Sequence, residues 1–270
     1  MKMQGKYKML VLDMDDTLLN DEHQISVVNH EKLMEAQRAG LRVVLASGRP
    51  TPAMLQYGRD LKLGKYQSHL VAYNGGVILD MANEQEVFAQ QLTVAQIHQL
   101  YDYAQEAGLN IMTYTATDII TPNHCQYVTV EQELTNMRVH VVEDFKAFVQ
   151  QPAVKCIIVG EPDRLKATAP LLRMAHPDKS VAISKPFFLE VTQQGIDKAA
   201  SIDRLAKSLN IGAEEVIAVG NAGNDLSMVE YAGLGVWVEN VDPALRDRAD
   251  VIVASNNDHG VAEVIDRFVF

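Results

Sequence analysis

The chain has 270 residues, 47% of them hydrophobic and 22% charged, with a formal net charge of −11. That length suits one large α/β domain or a core domain carrying a smaller one, and the absence of repeats or biased tracts excludes disorder and solenoid architectures. The acidic balance excludes a general attraction to nucleic acid or to anionic membrane, so any phosphate the protein binds is held locally.

The stretch 1–8 has the positive charge of a signal-peptide start, but the apolar run that follows is broken at once by Asp13, Asp15 and Asp16, and no targeting or membrane-spanning segment is expected. Cys125 and Cys156 are the only cysteines, lie far apart, and form no metal-like or redox-like pair, which predicts a reduced cytoplasmic protein.

The first element is the apolar run Met9 to Leu12, which leads into Asp13-Met14-Asp15-Asp16-Thr17. A greasy run ending in carboxylates and a hydroxyl reads as a buried parallel strand entering a reactive loop. Carboxylates beside so apolar a strand cost solvation energy and call for a partner, of which a cation is the most natural. An isolated Asp-x-Asp also occurs as a solvated acidic turn. A calcium loop does not fit, because Leu18 stands where that loop needs glycine.

Ser26 N-caps a predicted helix over 27–38, closed by Gly40. A strand over 41–46 then enters Ser47-Gly48-Arg49-Pro50, a helix covers 51–63, and a strand over 68–73 enters Asn74-Gly75-Gly76. This βαβ alternation predicts a doubly wound parallel sheet whose loops at the carboxyl ends of the strands line a site. Ser47 and the amides around Gly48 suit an anion, provided Gly48 allows close approach. Arg49 is equally an ordinary ion-pair partner and is left out of the candidate set.

From about residue 85 the pattern changes. A helix over 94–107, capped by Thr93 and closed by Gly108, precedes the alternating run 109–115, a strand over 155–159, a helix over 162–175 and a strand over 181–191. These form an inserted α+β unit over 85–191, which splits a core domain made of 1–84 and 192–270. The βαβ pattern resumes with a helix from Lys198 to about 209, a strand over 216–219, and the loop Gly220-Asn221-Ala222-Gly223-Asn224-Asp225. A helix, a strand over 234–238, a helix from Pro243 and a strand over 251–253 finish the chain.

Lys198 begins its helix where an ammonium can reach back toward a phosphate, although a lone lysine is usually a surface group. The 220–225 loop matches neither G-x-G-x-x-G nor G-x-x-x-x-G-K-[ST], and a metal or phosphate role for Asn224 and Asp225 is compatible with a helix N-cap there.

Taken in order, Asp13-Met14-Asp15-Asp16-Thr17, Ser47-Gly48-Arg49, Lys198 and Gly220 to Asp225 resemble the four motifs of the haloacid dehalogenase-like (HAD) phosphatases. The large insertion, Asn74-Gly75-Gly76 and Phe188-Leu189-Glu190-Val191-Thr192 are similar to the Cof-type sugar-phosphatase branch with a type-2 cap. The resemblance implies a Rossmann-like core with an inserted cap that excludes water and selects substrates. It also implies Mg²⁺-dependent hydrolysis of a small phosphorylated metabolite.

On that resemblance Asp13 is the nucleophile and Asp15 the general acid and base. Met14, Ser47, Gly48, Lys198 and Asn224 surround the phosphoryl group, and Asp13, Asp15 through its backbone, Asn221 and Asp225 hold Mg²⁺. The chain departs from the family pattern twice. Asp16 replaces a frequent glycine, which Asp tolerates in left-handed backbone. Asn221 replaces a metal-binding aspartate and brings an oxygen without charge, so a catalytically impaired homologue that binds phosphorylated ligands without turnover is the alternative. His124, Asn123 and Tyr114 are open candidates for substrate contact, and the oligomeric state is not encoded in any pattern seen here.

Overall fold

The computed structural model describes residues 5–270; the first four residues of the basic opening stretch lie outside that range. The chain divides into two compact units. One is built from the chain up to Arg49, Met54–Phe88 and Asp197–Phe270, the other from Pro50–Ala53 and Ala89–Ile196.

The strands in chain order are β1 (Met9–Leu12), β2 (Arg42–Ala46), β3 (His69–Ala72), β4 (Val77–Asp80), β5 (Gln85–Ala89), β6 (Asn110–Tyr114), β7 (Asp118–Thr121), β8 (Arg138–Val141), β9 (Lys155–Val159), β10 (Lys179–Lys185), β11 (Phe188–Gln193), β12 (Val216–Gly220), β13 (Leu234–Val238) and β14 (Val251–Val253). The helices are α1 (Val27–Ala39), α2 (Thr51–Asp60), α3 (Val94–Glu106), α4 (Gln126–Thr135), α5 (Phe145–Phe148), α6 (Pro162–Ala175), α7 (Lys198–Ser208), α8 (Leu226–Tyr231) and α9 (Gly260–Phe268).

The first unit holds a sheet of order β14-β13-β12-β1-β2-β3-β4-β5, parallel from β14 to β3 and antiparallel where β3 meets β4. Its central strands are buried on both faces, as their unbroken apolar runs require. Met9, Val11, Val44 and Ala46 pack with Ile202 and Leu205 of α7 and Met228 of α8. The alternate residues Leu10, Leu12, Val43 and Leu45 are equally buried. On the other side α1 packs against α9, and the buried Asn29 side chain accepts a hydrogen bond from Ala262 N at 3.0 Å. The strand order reverses between β1 and β12, so the loops after β1, β2 and β12 meet at a topological switch point, where open α/β sheets place their ligands.

Local signals set most boundaries. Ser26 Oγ accepts from Asn29 N at 3.2 Å, and Gly40 closes α1 in left-handed backbone at φ 109°. Thr93 and Gln96 form a reciprocal capping box at the start of α3.

The second unit holds a sheet of order β10-β11-β9-β6-β7-β8, antiparallel except for the β7–β8 pair. Ile97 and Leu100 of α3 and Leu165 and Leu172 of α6 cover Ile111, Cys156, Ile158 and Val191 on one face. Among the described residues no helix is long and apolar enough to cross a membrane.

Three expected elements differ. The strand expected over 181–191 is the hairpin β10–β11, turning at Pro186 and Phe187 after a register shift between Ile183 and Lys185. Proline has no N–H to give a ladder, so the apolar run folds back there. The helix expected from Pro243 is one short tight helical segment, Pro243–Arg248. The chain does not finish at β14 but continues into α9, whose buried Val261, Ala262, Val264 and Ile265 form a helical stripe that also resembles a continuous strand.

Candidate functional site

β1 delivers Asp13 to the end of the central strand. Its N–H donates to Val219 O of β12 at 3.0 Å, and the residue is 4% exposed. The chain then turns sharply through Met14–Leu18, with Asp15 extended (φ −70°, ψ 128°) and Asp16 left-handed (φ 57°, ψ 17°). Asp is among the few residues that adopt this backbone cheaply. Asn240 Nδ2 secures the turn by donating to Asp16 O at 2.7 Å. The Met14 side chain is fully buried, so only its backbone is available to a phosphate.

Lys198, the first residue of α7, is held at the helix start by the Asp197 cap, whose carboxylate accepts from Ala200 N at 3.0 Å. Its ammonium is buried and donates to Asp13 Oδ1 at 2.7 Å, Asp225 Oδ1 at 2.6 Å and Ala46 O at 2.9 Å. All three protons are thus used, on the loops after β1 and β12 and on the last residue of β2.

Asp225 is itself fully buried, and its Oδ2 accepts from Asn221 N and Ala222 N, each at 3.1 Å. Gly220 makes room for this packing: a Cβ there would lie 2.5 Å from Asp225 Cβ. Asn221 Oδ1 accepts from the Thr17 hydroxyl at 3.2 Å, which aims the amide oxygen at the β1 loop.

Two carboxylates and one ammonium leave this buried cluster one negative charge in excess. Burial raises the Asp13 carboxyl to about 7; Asp225 and Asp15 push in the same direction, and Lys198 opposes them. Burial works against the charged form of Lys198, but Asp13 and Asp225 outweigh it and hold its pKa above the ordinary value.

Oxygens of the kind that hold a hard cation lie beside the cluster. The hydrogen bonds of the cluster use Oδ1 of Asp13, and the Asp15 carbonyl and Asn221 Oδ1 lie on the two adjoining loops. Both Asp225 oxygens already serve Lys198 and the loop amides. Among the described residues no three His, Cys, Asp or Glu side chains form a metal-binding group, consistent with an amide standing at position 221.

The phosphate candidates follow the same loops. Ser47 is buried, its N–H donates to Val71 O at 2.9 Å, and its Oγ accepts from Arg49 N at 3.2 Å. A Cβ on Gly48 would sit 3.1 Å from Asn74 Nδ2. Asn224 is exposed and donates from Nδ2 to Asn74 Oδ1 at 3.2 Å, standing apart from the buried cluster. Asn74 therefore joins the loops after β2 and β12, a role signalled only by its place in the Asn-Gly-Gly turn.

Arg49, left aside on sequence grounds, pairs with Asp15 through two hydrogen bonds, Nε to Oδ2 at 2.9 Å and Nη2 to Oδ1 at 2.6 Å. Within the second unit Tyr114 is buried and donates to Glu131 Oε1 at 2.5 Å, whereas Asn123 and His124 are exposed.

A family model described as haloacid dehalogenase-like hydrolase matches residues 10–265. A crystal structure of a haloacid dehalogenase-like hydrolase from Bacteroides thetaiotaomicron is 37% identical, with a TM-score of 0.93 over 97% of this chain and 99% of that one. TM0651 from Thermotoga maritima is 26% identical, with a TM-score of 0.87 over 97% of each chain. The Bacillus subtilis protein named 5-amino-6-(5-phospho-D-ribitylamino)uracil phosphatase YcsE is 28% identical over 97% of this chain and 96% of its own.

Removing Lys198 leaves two buried carboxylates facing each other. Lys198→Ala is expected to lower the unfolding free energy by about 3 kcal/mol in a urea titration. A loss under about 1 kcal/mol would contradict the central place given to this ion pair. Because the folded-state pKa of Asp13 is raised, its contribution is fully present below the unfolded value of about 4 and is lost as pH climbs through about 7. In metal-free buffer, Asp13→Asn is therefore expected to gain stability relative to the parent protein between those pH values and to run parallel to it above them. A pH-independent difference would contradict the raised carboxyl.

Proposed function

Since the chain belongs to the haloacid dehalogenase-like hydrolases and is a phosphatase, we propose that it hydrolyses small phosphorylated metabolites of the sugar-phosphate kind, with Mg²⁺, through an aspartyl-phosphate on Asp13. The observation that carries this reading is the buried Asp13–Lys198–Asp225 cluster, which holds a carboxylate at a strand end with one oxygen tied and a negative charge to spare.

In the proposed reaction the free oxygen of Asp13 attacks phosphorus while the bond to the substrate oxygen breaks, and Asp15 gives that oxygen its proton. Asp15, now a carboxylate, takes a proton from water as the water attacks phosphorus. The bond from phosphorus to Asp13 breaks, releasing phosphate and restoring the nucleophile. Esterification removes the charge of Asp13, which releases one Lys198 proton for a phosphoryl oxygen at the moment that oxygen needs it. Ser47 and the amides near Gly48 and Met14 supply neutral donors, and Asn224 borders the site at the Asn74 contact.

Bound Mg²⁺ would supply charge neutralisation between carboxylate and phosphate, held by Asp13, the Asp15 backbone and Asn221, with Asp225 acting through the loop it organises. We assign the inserted unit the part of a substrate-selecting cap. The name of the YcsE relative supports a phosphorylated polyol-bearing metabolite as one substrate type to include in a panel of sugar phosphates and nucleotides. Asn221 favours a second reading, a binding protein with impaired turnover, because the amide brings no charge to the metal.

Hydrolysis of p-nitrophenyl phosphate across a Mg²⁺ titration tests both readings. Asp13→Asn is expected to lose at least about a thousandfold in rate, and activity surviving it would remove Asp13 as nucleophile. Asn221→Asp is expected to lower the half-saturating Mg²⁺ concentration about tenfold, in both the rate and the Mg²⁺-dependent rise in Tm. An unchanged Mg²⁺ requirement would count against Asn221 as a ligand, and no turnover at any Mg²⁺ level would favour the binding protein.

A further inference from the structure

Asp15 differs from Asp13 in being loosely enclosed. Its side chain is 43% exposed; the Arg49 guanidinium and, more distantly, His23 Nδ1 at 4.0 Å from Oδ1 are its cationic neighbours, and the Asp13 carboxyl is near enough to feel its charge. Arg49, by contrast, is fixed at every level. Its N–H donates to Ser47 Oγ at 3.2 Å, its carbonyl accepts from Tyr73 N at 3.0 Å, and its guanidinium lies over the Tyr57 ring at 5.5 Å. The Tyr57 hydroxyl in turn donates to His23 O at 3.1 Å, on the segment that follows the Asp15 turn. A planar fork with two parallel hydrogen bonds sets both the distance and the plane of a carboxylate, which a lysine ammonium cannot do.

We propose that Arg49 is the positioning residue of Asp15: its two-pronged contact sets the orientation of the carboxylate, and when Asp15 carries the proton it gives to the leaving oxygen, the protonated oxygen is released from one prong while the other keeps the side chain in place. This rests on the reading of Asp15 as the general acid and base. General acid catalysis requires the carboxyl within hydrogen-bond reach of that oxygen, and small displacements of a catalytic group cost large factors in rate. With Arg49 absent, the half-exposed side chain is free to turn into solvent.

The consequence depends on the leaving group. An alkoxide-like or phenolate leaving group needs its proton during bond breaking; a 2,4-dinitrophenolate departs without one. A structural or phosphate-binding role for Arg49 affects all esters alike, because the phosphoryl group is common to them. A positioning role affects only those that need the acid.

The test compares kcat/KM for phenyl, p-nitrophenyl and 2,4-dinitrophenyl phosphate at saturating Mg²⁺ in the parent protein, Arg49→Ala, Arg49→Lys, Asp15→Asn and Asp13→Asn. Arg49→Ala is expected to lose about 30-fold or more on the phenyl ester and less than about threefold on the dinitrophenyl ester. Arg49→Lys, which keeps the charge and loses the fork, falls between and carries the test if the alanine variant does not fold. Asp15→Asn is expected to show the same steep dependence, and Asp13→Asn to be inactive on all three.

Equal losses on every ester, a rise in KM alone, or no loss would overturn the role given to Arg49. A steep dependence in Asp15→Asn with a flat one in the Arg49 variants overturns only this inference. A flat dependence in Asp15→Asn overturns the acid–base reading, and this inference with it.

Discussion

Lys198 carries one positive charge into a space shared with two carboxylates, Asp13 at 2.7 Å and Asp225 at 2.6 Å, from which water is largely excluded. A buried charge without a partner costs several kcal/mol, so the three side chains are obliged to stay together once any one of them is buried. That obligation ties the loop after β1, the start of α7 and the loop after β12 to a common point. The remaining site geometry hangs on it: Gly220 lacks a side chain because Asp225 occupies the space, and Asn221 faces Thr17 because its own N–H is bound to Asp225.

The same cluster explains how the fold tolerates a carboxylate at the end of an apolar strand. Full neutralisation would stabilise the fold and quench the carboxylate. Burial, with the repulsion of Asp225 and Asp15 behind it, raises Asp13 in spite of the opposing pull of Lys198. On the proposed function, a dianionic phosphate beside this carboxylate would be admitted together with a cation from solution, whose charge the cluster lacks.

Much of this was legible in the sequence where short-range chemistry decides. Ser26, Thr93, Gly40 and Gly108 punctuate their helices as caps do, the strand-end positions of Asp13 and Ser47 follow from apolar runs that stop at polar loops, and Asp225 sits at the end of the loop after β12, where α8 begins. The hairpin at Pro186 was hidden because an apolar run says nothing about where it folds back, and α9 because its stripe of Val261, Ala262, Val264 and Ile265 serves either period. Arg49 was hidden for a different reason. An arginine after a strand reads as an ordinary ion-pair partner, and its partner lies 34 residues away, so only the fold reveals that the pair is made with Asp15.

Asn221 is where the two kinds of information meet. By sequence it is an amide in place of a carboxylate, a loss of charge. In the structure its oxygen is held by Thr17 and its N–H by Asp225, so it is ordered before any cation arrives. Order and charge contribute differently to metal affinity: a carboxylate adds attraction, whereas a held amide removes the cost of arranging a ligand. A third carboxylate beside Asp13 and Asp225 would add to the repulsion that joins burial in raising Asp13 and would further oppose its ionisation in the metal-free protein. On the proposed function, the amide would exchange metal affinity for an Asp13 more readily ionised before the metal binds.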